Sequence, residues 1–316
     1  MPASDIISER ANSFIKAAEI WLPDDGVLTL AGADHGSAHG FAEVTARTVF
    51  AKAQGLPGNA WEQGSPIVLT DLNEANFVRH DAAREAGMTC AIALPIFAGK
   101  GLKAVLVIFC GEAETEVGAI EVWGERGDRL RLQAGYYASA TDFEKVSQDV
   151  AFARGHGLPG GVWSTDMPVL MREIGASHGF VRSKVAKEVG LDTGLGIPMA
   201  GPGGELSVIT LLSGGNTPLA QRFEIWDARE ERVGPHRRAV RVDGICEREG
   251  PLWPKQNPPV DIATTNAWQG PVGQVLGTGV PHIVNDGVGL PAGYRSMVAL
   301  PVYRAETLAF ITAWYL

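Results

Sequence analysis

Apolar residues in this 316-residue chain gather in short runs. Two such runs, at 91–95 and 104–109, flank a glycine-bearing turn, and the pair returns at 194–198 and 206–212 and again at 297–301 and 308–314. Runs of this length bounded by turn formers predict strands joined as hairpins. The first run of each pair ends in proline, at Pro95, Pro198 and Pro301, 103 residues apart both times. A second landmark opens each repeat. Glu19-Ile20-Trp21, Glu121-Val122-Trp123 and Glu224-Ile225-Trp226 stand 102 and 103 residues apart. A constant spacing of this size predicts an internal repeat, present three times.

Within a repeat the pattern orders further elements. The Glu-x-Trp strand turns at Asp24-Asp25-Gly26 into a second strand over 27–30, and Glu125-Arg126-Gly127 does the same in the second copy. Helical stretches are predicted around 41–48 and 142–148. Gly-Leu-Pro-Gly at 55–58 and 157–160 reads as a turn, followed by a short helix that carries Trp61 or Trp163. A strand over 66–72 precedes a helix over 77–86 that Gly87 stops, with its counterpart over 180–189. The resulting order, β-β-α-α-β-α-β-β, describes an antiparallel sheet carrying helices on its faces. Boundaries are expected near residues 114 and 217, giving units 1–114, 115–217 and 218–316. A leading helix over 4–15 is predicted from Ile6, Ile7, Ala11, Phe14 and Ile15 on one face.

The third unit diverges. Gly270-Pro271-Val272-Gly273 answers to the Gly-Leu-Pro-Gly phrase but lies 113 residues after Gly157, so about ten residues are gained before it. Between the strand that follows and the proline-ended strand it then loses about nine, matching 77–87 and 180–190 of the other units. The connections between units are short, which predicts one compact, mutually dependent body.

Composition narrows the class. With 45% hydrophobic and 20% charged residues the chain is expected to fold. No run approaches the roughly 20 apolar residues of a membrane span, and the N-terminus lacks a signal pattern. Three scattered cysteines suggest a cytoplasmic, reducing setting. A net charge of −9 disfavours nucleic acid and anionic membrane as partners. One basic cluster, Arg229, Arg232, Arg237, Arg238 and Arg241, is expected to be a solvated hairpin.

The landmarks in order, Gly-Leu-Pro-Gly-x-x-Trp, then x-x-Gly-x-Pro-Ile/Val, then Phe-x-Arg before Ala-Gly, then a strand ending in proline, resemble the GAF domain in a common bacterial form. The first unit resembles it most fully, the second nearly as well, and the third at its strands. The resemblance implies an α+β fold of three GAF-like (profilin-like) units. Each would have a central antiparallel sheet of five or six strands and a small-molecule pocket roofed between the Trp helix and the proline-ended strand.

Candidate ligand-binding residues follow from the two fuller repeats: Trp61, Asp71, Phe77, Arg79 and His80 in the first unit, and Trp163, Glu173, Phe180 and Arg182 in the second. The tryptophans read either as core or as pocket wall. The arginines read either as a pocket-mouth anion clamp or as a solvated helix face, with Asp71 and Glu173 as their pairing partners. Cys90 and Cys110, in or beside strands, read as small buried residues, not as reductase thiols or pigment attachment points. His35 and His39 lie four apart in a glycine-flanked loop, a poor metal seat, and no metal site is assigned. Ala98-Gly99-Lys100-Gly101 lacks the upstream glycine of a phosphate loop.

No catalytic constellation emerges, so a non-enzyme is expected. The first reading is a sensory or small-molecule-binding protein whose output comes from a protein partner. The alternative is an interaction scaffold with closed pockets. Polar, open space beneath the 77–86 and 180–189 segments would favour the first, and apolar filling the second. Any ligand belongs to the first or second unit, because the third has lost its lid. Ligand and cofactor stay unidentified, and a homodimer is compatible with the pattern.

Overall fold

The computed structural model describes residues 13–72, 77–111, 115–215, 217–234, 237–246, 250–252 and 263–316. The chain folds into three antiparallel sheets, each made from a continuous stretch of sequence. The first contains β1 (Ile15–Asp24), β2 (Val27–Asp34), β3 (Phe50–Ala51), β4 (Ile67–Leu69), β5 (Met88–Ala98) and β6 (Gly101–Gly111), in the order β3-β2-β1-β6-β5-β4. Helices α1 (His39–Thr45), α2 (Gly55–Gln63) and α3 (His80–Glu85) cover one face. The second repeats this with β7 (Val117–Arg126), β8 (Arg129–Ala138), α4 (Thr141–Asp149), β9 (Ala151–Phe152), α5 (Gly157–Thr165), β10 (Val169–Met171), α6 (Ser183–Val189), β11 (Leu191–Ala200) and β12 (Leu206–Gly214). The third contains β13 (Arg222–Asp227), α7 (Glu230–Val233), β14 (Arg238–Cys246), β15 (Gly250–Pro251), β16 (Thr264–Asn266), α8 (Gly270–Thr278), β17 (His282–Val284), β18 (Met297–Arg304) and β19 (Thr307–Tyr315). Six of the roughly ten extra residues of the third unit fall between β13 and β14, where α7 sits: Trp226 pairs with Arg241, whereas Trp21 pairs with Leu30 and Trp123 with Leu132.

The strands read as apolar runs because both faces of each sheet are buried. Along β5, Ala91 and Ala93 face the unit's own helices, whereas Cys90, Ile92, Leu94 and Ile96 face a core shared by all three sheets. Strand β6 alternates likewise, with Val105, Val107 and Phe109 inward and Leu106 and Ile108 toward the shared core. Ile120, Val122, Leu195, Ile197, Ile209 and Leu211 come from the second sheet, and Ile225, Val298, Leu300 and Trp314 from the third.

The equivalent strands β5, β11 and β18 touch one another around the centre of the body. Their prolines, Pro95, Pro198 and Pro301, line one narrow axial crevice. The contacts between units run in one direction around this axis. Strand β4 lies against β8, Arg172 just after β10 binds Asp243 and the Gly244 carbonyl of β14, and β17 lies against β2. Head-to-tail contacts that close after three steps make a pseudo-three-fold ring within a single chain. The short connections predicted one body, and this closure is how it is built.

One expectation is corrected, and a second lies largely outside the described residues. The Gly-Leu-Pro-Gly phrase does not precede the helix but forms its first turn, in α2 and α5 alike. Proline is tolerated there because the first N–H groups of a helix have no internal partner. The leading glycine adopts a positive φ in all three copies (59°, 65° and 63° at Gly55, Gly157 and Gly270). The second glycine allows backbone contact: a Cβ on Gly58 would lie 2.1 Å from the Ala51 carbonyl oxygen, and on Gly160 2.1 Å from that of Ala153. The leading helix over 4–15 falls almost wholly outside the described residues. Its last residue, Ile15, begins β1, and Phe14 is buried in the shared core against Tyr136, where pairing with the sheet replaces helix.

Candidate functional site

In each unit the Glu-x-Trp strand buries its glutamate. Glu19, Glu121 and Glu224 are all at most 1% exposed. The reason is local: residues i and i+2 of a strand share a face, so the tryptophan that packs into the unit core takes the glutamate with it. The indole Nε1 of Trp21 donates to Glu19 at 2.9 Å, Trp123 to Glu121 at 3.1 Å and Trp226 to Glu224 at 2.9 Å. A carboxylate taken this far from water needs a cation and further donors.

Arg79 supplies the cation in the first unit. Its Nη1 and Nη2 donate to the two Glu19 oxygens at 2.6 and 2.9 Å, a bidentate pair between residues 60 positions apart. Nη1 also donates to Thr45 Oγ1 at 2.5 Å, and Thr45 and His35 Nε2 each meet Glu19 Oε1 at 3.1 Å. The guanidinium is walled by rings, with Phe41 centred 4.7 Å away and Trp21, Phe50, Phe77 and Phe109 between 5.5 and 5.6 Å. Burial pushes the Glu19 carboxyl up, but Arg79 and His35 outweigh it and hold it below its ordinary value.

The second unit repeats the arrangement. Arg182 donates through both terminal nitrogens to Glu121 and also binds Ser147 Oγ. Tyr137 and Thr210 complete the carboxylate's shell at 3.1 and 2.8 Å. Phe143, Trp123, Phe152 and Phe180 form the cage. Glu121 is again pushed up by burial and brought below its ordinary value by Arg182. The third unit lacks the segment that carries this arginine. Glu224 is met instead by Arg222 Nε and Arg241 Nη1, each at 2.9 Å, and by the Tyr315 hydroxyl at 3.1 Å. The cation comes from a different strand position, but the carboxylate has one in every unit.

The sequence-derived candidates divide accordingly. Phe77, Arg79, Phe180 and Arg182 are buried and brought together with Glu19 or Glu121. Trp163 is buried and donates to Glu125 at 2.7 Å beneath Arg154, whereas Trp61 is half-buried at the edge of its core. Asp71, His80 and Glu173 are exposed. The solvated-face reading of the arginines does not hold: both are buried, and their carboxylate partners are Glu19 and Glu121, not Asp71 and Glu173. The helices explain this: α3 starts at His80 and α6 at Ser183, later than predicted, so Arg79 and Arg182 sit in the preceding turns and point inward. His35 is committed to Glu19 and does not join His39 as a metal pair; His39 is exposed.

The glutamates, with Thr45, Ser147, Tyr137 and Thr210, escaped the sequence reading. The available signal was the tryptophan two residues after each glutamate, which fixes the glutamate on the core face. Cys90, Cys110 and Cys246 are fully buried. Burial raises the thiols of Cys90 and Cys110 well above the ordinary value. Among the described residues no helix is long and apolar enough to cross a membrane.

A family model described as GAF domain matches residues 4–122. No curated protein matches in sequence. Similar solved structures include the A. aeolicus nlh2 GAF domain in an inactive state, at 19% identity over 30% of this chain and 57% of that one, with a TM-score of 0.25. A GAF domain/HD domain protein from Geobacter sulfurreducens is similar at 13% identity over 34% and 71%, with a TM-score of 0.28. Free methionine-R-sulfoxide reductase from Neisseria meningitidis is similar at 18% identity over 34% and 70%, with a TM-score of 0.25. The chain spans little more than half the length of the A. aeolicus structure it matches.

Proposed function

We propose, from a GAF domain family match over residues 4–122 and from the three GAF-like sheet units, that the chain is a non-catalytic interaction scaffold whose pockets are closed by its own side chains. The observation that carries this reading is the Arg79–Glu19 pair. It fills the space beneath the 77–85 segment, ringed by five buried aromatic residues, and Arg182–Glu121 does the same in the second unit. A small molecule binds where a few polar groups are left unpaired inside an apolar enclosure. Here both terminal nitrogens of each arginine are spent on the carboxylate, and only the two Nε atoms are buried without a partner. The output then lies in the surface of a rigid three-unit body and in the protein that docks on it. A cytoplasmic setting suits three buried thiols without disulfides.

Native mass spectrometry of freshly purified protein tests the reading. The expected mass is that of the polypeptide alone. A retained small molecule, released together with the protein fold on denaturation, would restore the sensory reading in which the first two units hold a ligand.

A further inference from the structure

The basic cluster between β13 and β14 separates into two classes. Arg229 binds Asp227 at 2.7 Å, Arg232 lies 3.9 Å from the same carboxylate, and Arg241 binds Glu224. Arg237 and Arg238 are exposed, and among the described residues neither has a carboxylate partner. Arg237 Nη1 instead donates to the Gly277 carbonyl at 3.2 Å. Over that same Gly277 lies the indole of Trp268: a Cβ on the glycine would come within 2.6 Å of the ring. Trp268 and Arg237 are also tied through the backbone, since the Ala267 N–H donates to the Arg237 carbonyl at 2.9 Å.

Trp268 is 62% exposed, and its backbone is left-handed, with φ at 71°. That conformation is costly for a residue with a bulky side chain. The repeats show what the fold itself asks for at this position. The N–H of Trp268 donates to the Gly273 carbonyl as those of Ala53 and Gly155 donate to Gly58 and Gly160, so a small residue serves in the other two units. Folding of the unit therefore does not call for a tryptophan here, yet the chain places a large apolar ring in solvent beside two arginines that have no carboxylate partner among the described residues. Exposed tryptophan and arginine together are what the energetic centre of a protein interface is made of. The protein as a whole carries a net charge of −9, so two exposed arginines beside an aromatic ring, without a carboxylate partner among the described residues, stand out against that balance.

We propose that Trp268, with Arg237 and Arg238, is the docking site for an acidic protein segment bearing an apolar side chain. The apolar side chain packs on the indole, and the carboxylates meet the two exposed guanidinium groups. The proposal rests on the scaffold reading and supplies the kind of partner it lacks.

The probe is a fluorescein-labelled heptapeptide with leucine at its centre and two acidic residues on either side, titrated against the full chain by anisotropy. Binding that weakens at least tenfold in Trp268→Ala and again in Arg237→Glu, and falls with added salt, is expected. Arg84→Ala, a surface change in the first unit, serves as the control and retains affinity. Thermal melts of each variant establish that it is folded. Absence of binding up to millimolar peptide, or binding indifferent to both substitutions, overturns the site. Preferential binding of an oligothymidylate through the same residues overturns the acidic-segment assignment. Failure here leaves the closed pockets untouched, because the scaffold reading falls only to a retained small molecule.

Discussion

Arg79 lays both terminal nitrogens on the Glu19 carboxylate, at 2.6 and 2.9 Å, with both side chains essentially sealed from water. Removing one partner strands the other charge in an aromatic enclosure. Arg79→Met is therefore expected to destabilise the protein by about 3–5 kcal/mol. Glu19→Leu combined with Arg79→Met should recover much of that loss, since an apolar pair requires no desolvation of charge. Urea denaturation of the three proteins decides it. A single variant within about 1 kcal/mol of the parent would mean that the pair contributes little, by the same reasoning.

The same carboxylates set the acid limit. Glu19 and Glu121 are held below their ordinary values in the folded state, despite burial, by Arg79 and Arg182. A depressed folded value means the stabilisation is complete above the unfolded value of about 4.3 and is lost as pH falls through the folded one. Melting temperature is thus expected to drop steeply below about pH 4. The Glu19→Gln/Glu121→Gln double variant should be less stable at neutral pH but flatter across the acid range. Parallel curves for the two proteins would place the acid sensitivity elsewhere.

The glycines of the repeated phrase give opposite expectations within one helix. Gly160→Ala puts a methyl group 2.1 Å from the Ala153 carbonyl oxygen, a contact with backbone that cannot turn away. A loss of about 1–3 kcal/mol or more follows, and Gly58→Ala against Ala51 should match it. Gly161 lies in the same helix with open space around its would-be Cβ. Gly161→Ala is expected to stabilise by about 0.5–1 kcal/mol through helix propensity. Chemical denaturation of the three single variants tests the contrast, and equal effects at Gly160 and Gly161 would show that the close approach is not what the phrase encodes.

The repeat was legible because its landmarks are local. Proline-ended strands and the Gly-Leu-Pro-Gly phrase impose backbone geometry wherever they occur, so their spacing counts the units directly. The buried ion pair was harder to read because its halves lie 60 residues apart and the arginine's surroundings mislead. Arg79 stands between exposed Val78 and His80, and a helical reading of 77–86 sends it toward solvent. Only the start of α3 at His80 frees Arg79 to turn inward. The glutamate was readable from the i, i+2 relation to tryptophan. Its need for a cation then also accounts for Arg222 in the third unit, where the segment carrying the arginine is shortened.

The ring has a consequence for any attempt to cut it. Ile120, Val122, Leu195, Ile197, Ile209 and Leu211 of the second unit are wholly buried, and all six face the core shared with the other two sheets. A fragment spanning 118–216 would expose them. At about 1.5–3 kcal/mol per large apolar side chain, the lost burial is on the order of 10 kcal/mol, comparable to the 5–15 kcal/mol that holds an ordinary domain together. The fragment keeps its own helical face, including Trp123, Phe143 and the Arg182–Glu121 pair, so it should collapse without packing stably and then aggregate. Size-exclusion chromatography and a thermal melt of the fragment provide the measurement. A soluble trimer would retain the argument, since three copies can bury the same faces around a true three-fold axis. A soluble monomer with a cooperative melt would end it, because the outer sheet face would then be dispensable to the fold.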